Sequence, residues 1–179
     1  MIKVALAGQP NCGKSTLFNL ITGLKQHIAN YPGVTVEKKV GRIKHSGESI
    51  EIVDLPGTYS FSSYSLEERV AKKFIMDENP DIILNVVDAS NLKRNLYLTF
   101  QLLEIGKPVV VVLNMMDVAQ RREIKIDVDK IASMLGCPVI PASGVKSEGK
   151  EAIIEAIIHA NSAQYSPFKI NYEELEPSI

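Results

Sequence analysis

Short apolar runs alternate along the chain with segments whose apolar residues recur at helical spacing. Val4–Ala7, Ile82–Val87, Val109–Leu113 and Val139-Ile140 are apolar runs of strand length, interrupted only by Asn85. Strands without polar alternation are typical of parallel sheets that helices cover on both faces. The pattern therefore predicts an α/β fold with buried strands.

Four segments between these runs are predicted to be helices, because their apolar residues fall on one face. They are Ser15–Thr22, Leu66–Met76, Leu92–Ile105 and Glu151–Ala160. At Gly106-Lys107-Pro108 and Gly136-Cys137-Pro138, a glycine and a proline indicate the end of a helix and the start of a strand.

A predicted hairpin and a predicted loop determine what lies at the edge of the predicted sheet. Val36–Lys44 and Ile50–Val53 flank Ser46-Gly47 and predict a β-hairpin. Lys25–Val34 has no clear period and contains Pro32 and Gly33, so it is predicted to be a loop. We therefore expect a mostly parallel six-stranded sheet with one antiparallel edge strand and helices on both faces.

Composition and charge narrow the class of protein without indicating an activity. The 179 residues are 45% hydrophobic and 23% charged, which fits one soluble domain. A net charge of -1 argues against broad nucleic-acid binding, and no apolar run reaches the length of a membrane span. Two cysteines, Cys12 and Cys137, are too few for a disulfide framework and lack the spacing of a zinc site.

The first chemical motif lies between the first predicted strand and the first predicted helix. Gly8-Gln9-Pro10-Asn11-Cys12-Gly13-Lys14-Ser15 matches the phosphate-loop pattern G-x-x-x-x-G-K-[ST]. In such a loop the backbone N–H groups and the helix N-terminus face phosphate oxygens, while Lys14 would reach the terminal phosphates and Ser15 would bind Mg²⁺. The alternative is a simple glycine turn that opens a helix, with Lys14 in solvent.

Cys12 lies inside this loop and admits two interpretations. A helix N-terminus can lower the pKa of a thiol and make it redox-sensitive. The simpler interpretation is a small residue that fills a tight turn, and Cys137 is expected in the core.

A second motif indicates guanine as the base. Asn114-Met115-Met116-Asp117 follows a predicted strand, and the Asp117 carboxylate could accept two hydrogen bonds that guanine offers and adenine does not. Asn114 would hold the neighbouring loop, Met115 would cover the ring face, and backbone donors of Ala142-Ser143-Gly144 would contact the base oxygen. A helix cap at Asp117 is the alternative.

The third motif, Asp54-Leu55-Pro56-Gly57, matches D-x-x-G directly after a predicted strand. Asp54 would hold Mg²⁺ through water and the Gly57 amide would face a third phosphate, although a plain Asp-Pro-Gly turn has the same sequence. Thr35, in Gly33-Val34-Thr35, is the candidate second hydroxyl on Mg²⁺, in a segment that a γ-phosphate would order.

The residue after the D-x-x-G glycine is Thr58, where Ras-like enzymes place the glutamine that orients the attacking water. The loop segments contain no recognisable arginine finger, and Arg69 is expected on a solvated helix face. Unaided hydrolysis should therefore be slow, about 10⁻⁴ to 10⁻² per second.

With these motifs the chain resembles the cytosolic G domain of the ferrous-iron transport protein B (FeoB) family, from Val4 to about Ala160. The resemblance is carried by the stretches Gly33–Glu37, Val53–Ser60 and Asn85–Leu92. The last stretch has no general role in GTPases and so favours this family over other G domains.

The resemblance implies a P-loop NTPase G domain that binds GTP or GDP with Mg²⁺ and is stimulated by K⁺. It assigns K⁺ to Asn11 and to backbone carbonyls near Ala29–Tyr31. It also implies an iron(II) uptake protein of the inner membrane, with the G domain on the cytoplasmic face. Residues 1–164 would be the G domain, and residues 165–179 a tail leading to a helical regulatory domain and a membrane domain.

The predicted catalytic residues are Asn11, Lys14, Thr35 and Gly57, and the predicted Mg²⁺ ligands are Ser15, Thr35 and Asp54. The predicted nucleotide contacts are Gly8, Gln9, Pro10, Asn11, Cys12, Gly13, Lys14, Ser15, Thr16, Gly33, Val34, Thr35, Asp54, Leu55, Pro56, Gly57, Asn114, Met115, Met116, Asp117, Ala142, Ser143 and Gly144. The alternatives are a regulatory nucleotide-binding module with negligible turnover and a GTPase associated with ribosomes or RNA. No nucleic-acid partner is expected, and a homo-oligomer is left open.

Overall fold

A central sheet with helices on both faces makes up residues 1–164 and Ser166, the part of the chain that the computed structural model describes. Its strands are β1 (Ile2–Gly8), β2 (Gln26–Asn30), β3 (Glu37–His45), β4 (Glu48–Asp54), β5 (Ile82–Asp88), β6 (Val109–Asn114) and β7 (Val139–Pro141). Its helices are α1 (Lys14–Thr22), α2 (Leu66–Glu78), α3 (Leu92–Glu104), α4 (Met116–Arg121), α5 (Val128–Leu135) and α6 (Lys150–Ser162), with a 3₁₀ turn at Ala89–Asn91 before α3.

The sheet has the order β2-β3-β4-β1-β5-β6-β7 and is mostly parallel, which confirms the predicted α/β class. The exception is β3, which is antiparallel to both β2 and β4. The predicted hairpin is confirmed, with Ser46-Gly47 at its turn and Ile43 paired with Ile50.

The predicted count of six strands is one short, because β2 lies within the segment Lys25–Val34 that was predicted to be a loop. β2 pairs with β3 over its whole length, from Gln26 with Gly41 to Asn30 with Glu37. Four of its five side chains are exposed, so no alternation of apolar and polar residues identifies it. β2 therefore occupies the edge, and the antiparallel strand β3 lies one place further in.

Two apolar layers hold the helices on the sheet. On one face, α1 packs on β1, β3 and β4, and α6 packs on β5, β6 and β7. On the other face, α3 packs on β5 and β6, α5 packs on β7, and α2 adds its apolar side chains to the same layer. The carboxyl ends of the parallel strands consequently meet at one edge of the sheet, which is where α/β proteins bind ligands.

The helix ends follow the glycine signals. α5 stops at Gly136, whose left-handed backbone (φ 66°) places its N–H on the Ala132 carbonyl. No helix among residues 1–164 has the length and apolar character that a bilayer crossing requires. The predicted tail, residues 165–179, lies outside the described residues apart from Ser166.

Candidate functional site

The phosphate-loop motif connects β1 to α1 and borders a cavity of about 480 Å³. The cavity is lined by Gln9, Pro10, Asn11, Gly13, Lys14, Ser15, Thr16 and Gly57. Residues of two separate motifs, G-x-x-x-x-G-K-[ST] and D-x-x-G, therefore face the same space.

Backbone conformation explains why glycine stands at the ends of the loop. Gly13 has φ 81°, and a Cβ there would collide with the Asn114 amide. A Cβ at Gly8 would lie 2.8 Å from the Cys12 sulfur and 2.9 Å from the Val86 carbonyl oxygen. Asn11 also takes a left-handed conformation, with φ 67°, which asparagine tolerates better than most residues.

Lys14, which lines this cavity, forms an ion pair with Asp54, which does not line it. Their side chains are only 10% and 11% exposed, so each charge is balanced mainly by the other. The arrangement brings together the lysine predicted to bind phosphate and the carboxylate predicted to hold the metal. Ser15, the next residue along α1, also lines the cavity.

The donors at this point fit Mg²⁺, because a serine hydroxyl and a carboxylate are the hard oxygen ligands that this ion prefers beside phosphates. Among residues 1–164 there is no cluster of three or more His, Cys, Asp or Glu side chains that would bind a metal by themselves. A metal held by Ser15 and Asp54 would therefore depend on phosphate oxygens for further ligands.

Several hydrogen bonds fix the D-x-x-G segment against the phosphate loop. Leu55 N donates to the Leu6 carbonyl at 2.9 Å, and Thr58 N donates to the Gly8 carbonyl at 3.1 Å. A Cβ at Gly57 would lie 3.3 Å from three atoms of Pro10, which shows how closely the two backbones approach.

Asn114 connects the base motif to the phosphate loop, as predicted. Its Nδ2 donates to the Cys12 carbonyl at 3.0 Å, and its Oδ1 accepts from Gly144 N at 3.0 Å. Met115 has φ 60°, and a Cβ at Gly13 would lie 3.4 Å from the Met115 methyl. Three loops are thus held together around one buried amide.

Asp117 is buried beside this amide, and Ser143 Oγ donates to its Oδ1 at 3.0 Å. Burial acts to raise the pKa of this carboxyl, but the Ser143 hydroxyl, backbone N–H groups and Arg121 outweigh it and lower the pKa. The carboxylate is therefore charged at neutral pH and is presented as a hydrogen-bond acceptor.

The backbone N–H groups of Ala142-Ser143-Gly144, which were predicted to contact the base oxygen, form hydrogen bonds within the protein. Each backbone N–H of this loop already has a partner: Leu113 O for Ala142, Glu148 O for Ser143 and Asn114 Oδ1 for Gly144. These N–H groups therefore support the site, and contact of the loop with a base stays a prediction.

Thr35 is not brought to the cavity. It is exposed in the turn between β2 and β3 and does not line the space beside Ser15. Tyr31 holds this turn by another route, since its hydroxyl donates to the Asp54 carbonyl at 2.8 Å and its ring packs edge-on against Phe74. Neither Gly33 nor Val34 lines the cavity.

Cys12 is a buried turn residue, which favours the simpler of its two interpretations. Burial raises its pKa to about 11, an effect larger than the opposing influence of Lys14. Cys137 lies in the core as predicted, and burial raises its pKa to about 12. Both thiols are protonated at neutral pH.

Two side chains near the site escaped the sequence analysis, the Tyr31 hydroxyl and the Arg94 guanidinium, and Gln9 was predicted only as a nucleotide contact. Gln9 Nε2 donates to the Arg94 carbonyl at 2.7 Å, and the Arg94 guanidinium lies 4.8 Å from the centre of the Tyr59 ring. The stretch Asn85–Leu92, one of those that carry the resemblance, was given no role, and it leads into the helix that contains Arg94.

Comparison with known proteins agrees with this geometry. A family model described as ferrous iron transport protein B matches residues 2–157. The chain is 47% identical over 165 residues to the Fe(2+) transporter FeoB of Salmonella typhimurium, which covers 90% of this chain and 21% of that protein. The chain thus spans about a fifth of the length of this relative.

Two solved structures are similar over nearly the whole chain. One is the cytosolic domain of T. maritima FeoB in GMPPNP form, with a TM-score of 0.92 and 40% identity, over 96% of this chain and 68% of that one. The other is an S. thermophilus NFeoB E67A mutant bound to GDP, with a TM-score of 0.88 and 47% identity, over 98% and 69%.

Proposed function

Because the chain belongs to the ferrous iron transport protein B family, we propose that it binds GTP and hydrolyses it to GDP and phosphate. It would act as the nucleotide-dependent switch of a larger Fe²⁺ transporter. The observation that carries the proposal is the shared cavity, which the phosphate loop and Gly57 both line and in which Lys14 is paired with Asp54.

Binding of the triphosphate follows from the charges and N–H groups of the loop. The backbone amides at the start of α1 point to phosphate oxygens, and the Lys14 ammonium turns from Asp54 to the terminal phosphates. Ser15 and Asp54 would hold Mg²⁺, which neutralises charge on the β- and γ-phosphates. The family relatives in GDP and GMPPNP forms support a guanine nucleotide here.

Selection of guanine rests on Asp117. Its carboxylate is charged, and Ser143 and Arg121 restrict its position. A guanine ring N–H and exocyclic amine would both donate to it. Adenine would offer this buried carboxylate neither of the two donors that guanine offers, which carries a large penalty.

Hydrolysis requires a positioned water, and Thr58 stands where a glutamine would orient it. The backbone of Gly57 and Thr58 is fixed by the Thr58 hydrogen bond to Gly8. We infer that this backbone orients the water, and that Thr35 joins the metal when γ-phosphate draws its turn inward. The intrinsic rate is then slow, about 10⁻⁴ to 10⁻² per second.

Potassium would supply the positive charge that no arginine of the loops supplies. Asn11 lines the phosphate cavity and holds a left-handed backbone that places it at the rim of the loop. A monovalent cation beside Asn11 stabilises charge that develops between the phosphates during transfer. Rates should therefore be higher in K⁺ than in Na⁺.

The first experiment measures phosphate release from GTP by the chain with Mg²⁺, in KCl and in NaCl at equal ionic strength. We expect a faster rate in KCl, a loss of that difference in Asn11→Ala, and loss of activity in Lys14→Ala. Lys125→Ala, a change at an exposed lysine remote from the cavity, is the matched control.

Tight GDP binding without phosphate release would instead establish the regulatory module that turns over no nucleotide. Equal rates in both salts would remove the role of potassium while leaving the GTPase intact. For the transporter as a whole, Lys14→Ala in the full-length protein should abolish GTP-dependent Fe²⁺ uptake by cells.

A further inference from the structure

The start of α3 contacts both segments that face the phosphate cavity. Its Arg94 carbonyl accepts from Gln9 of the phosphate loop at 2.7 Å, and Gln9 is almost completely buried. The Arg94 side chain reaches the other segment, where its guanidinium carbon lies 4.8 Å from the centre of the Tyr59 ring.

The backbone at Arg94 is seated by buried polar contacts. Asn95 Nδ2 donates to the Asn91 carbonyl at 3.0 Å, and Asn95 Oδ1 accepts from Asp88 N at 3.2 Å. One turn further on, Thr99 donates to Asn85 Oδ1 at 2.6 Å inside the core. The polar stretch Asn85–Leu92 thus anchors the helix from which Arg94 extends.

Tyr59 is two residues beyond Gly57, so its position constrains the backbone that faces the third phosphate. Thr58 N is fixed to Gly8, and Gly57 lies against Pro10. Arg94 contacts the next residue along, Tyr59, and both line a small polar cavity of about 120 Å³ that Asn11 also lines. The segment is therefore held at both sides of Thr58.

We propose that Arg94 is a positioning residue for GTP hydrolysis, because its guanidinium stacked on Tyr59 holds the Gly57-Thr58 backbone where it orients the attacking water. The inference rests on the proposed GTPase function. Arg94 is not a catalytic finger, since it covers the Tyr59 ring and does not line the phosphate cavity. The loops lack a water-orienting glutamine, and the stack makes their backbone rigid enough to replace it.

The geometry separates this role from nucleotide binding. Gln9 is held by the Arg94 carbonyl, which every side-chain substitution keeps, so the phosphate loop stays in place in Arg94→Ala. The guanidinium acts on Tyr59 alone. A planar guanidinium stacks on an aromatic face in a way that the lysine ammonium only partly reproduces.

The test compares single-turnover GTP hydrolysis with GDP affinity in Arg94→Ala, Arg94→Lys, Tyr59→Leu and Tyr59→Phe. Because displacement of a reacting geometry by about 1 Å costs about a hundredfold, we expect Arg94→Ala to slow hydrolysis by at least tenfold. Its GDP affinity should stay within about threefold. Tyr59→Leu should slow hydrolysis as much as Arg94→Ala does, and the rate of Arg94→Lys should lie between those of wild type and Arg94→Ala. Tyr59→Phe, which keeps the ring face, should retain most of the wild-type rate.

The double variant Arg94→Ala/Tyr59→Leu should hydrolyse GTP no more slowly than either single variant, because the two substitutions remove the same contact. Lys93→Ala, at an exposed neighbour on α3, is the control for changes of surface charge. Thermal unfolding of each variant checks that the domain remains folded.

The outcomes separate the inference from the function on which it rests. A wild-type rate in Arg94→Ala overturns the positioning role while the GTPase stands. A parallel loss of GDP affinity and rate also overturns it, because Arg94 would then support the whole site. Absence of hydrolysis by the wild-type chain overturns the proposed function, and the positioning role with it.

Discussion

At the scale of single residues, the site depends on side chains that each form hydrogen bonds to more than one loop. Asn114 uses both ends of its amide, one on the phosphate loop and one on Gly144. Gly13 has no Cβ because that amide occupies the space. Asp117 then receives its orientation from Ser143, a residue of the loop that Asn114 holds.

Asp117→Asn should change the preference from guanine to xanthine nucleotides. An amide cannot accept from both guanine donors, and hydrogen bonds to a charged group contribute about 1.5–3 kcal/mol each. GTP affinity should therefore fall by about a hundredfold or more. Displacement of a bound fluorescent nucleotide by GDP and by XDP measures the preference. Asp129→Asn, a change at an exposed position, is the control. An unchanged preference for GDP would remove Asp117 from the base site.

At the scale of elements, the strand β2 and the turn after it are attached to the domain at few points. β2 pairs on one side only, and its side chains are mostly exposed. Beyond it, Tyr31 is the main anchor, through its hydroxyl on the Asp54 carbonyl and its ring on Phe74. Such an edge opens at low free-energy cost, which suits a segment that changes with the nucleotide.

Hydrogen exchange should detect this change. In wild type, GMPPNP with Mg²⁺ should slow the exchange of backbone amides from Gln26 to Val36 more than GDP with Mg²⁺ does, because Thr35 would bind the metal. Thr35→Ala should remove most of that difference, whereas Ser133→Ala, which removes an exposed hydroxyl on α5, should not act on this segment. Equal protection in wild type and Thr35→Ala would contradict the role of Thr35.

Among the elements, some could be predicted from the sequence and others could not. The motifs around Lys14, Asp54 and Asn114 were recognisable because each follows a strand, and parallel strands bring their ends together. β2 escaped because its pairing comes from β3 and its exposed side chains carry no period. The Tyr59–Arg94 stack joins segments far apart in the chain, and only the folded sheet brings them into contact.

At the scale of the whole molecule, a buried polar pair links the centre of the sheet to a helix that faces the site. Thr99 and Asn85 are both almost fully buried, and Asn85 Nδ2 reaches the Ala7 carbonyl at the end of β1. The apolar clusters on the two faces supply most of the burial. This polar contact fixes the position of α3 on β5, and therefore the position of Arg94 on that helix.

Thr99→Val should lower the free energy of unfolding by about 1–3 kcal/mol, because it leaves the buried Asn85 oxygen without a donor. Thr99→Ser keeps the hydroxyl and should cost less. Urea unfolding followed by circular dichroism measures both, and the two variants should show similar dependence on urea concentration. If valine were as stable as serine, the hydrogen bond would contribute nothing measurable to the fold.

The Lys14–Asp54 ion pair has a consequence for the selectivity of the site. Because the two charges offset each other, an anion such as sulfate or inorganic phosphate that draws Lys14 away would leave Asp54 buried without a counter-ion. A triphosphate and a divalent cation bound together would compensate both partners. On the proposed function we therefore expect their binding to be cooperative, each raising the affinity for the other, and the pair to favour the magnesium–nucleotide complex over either component alone.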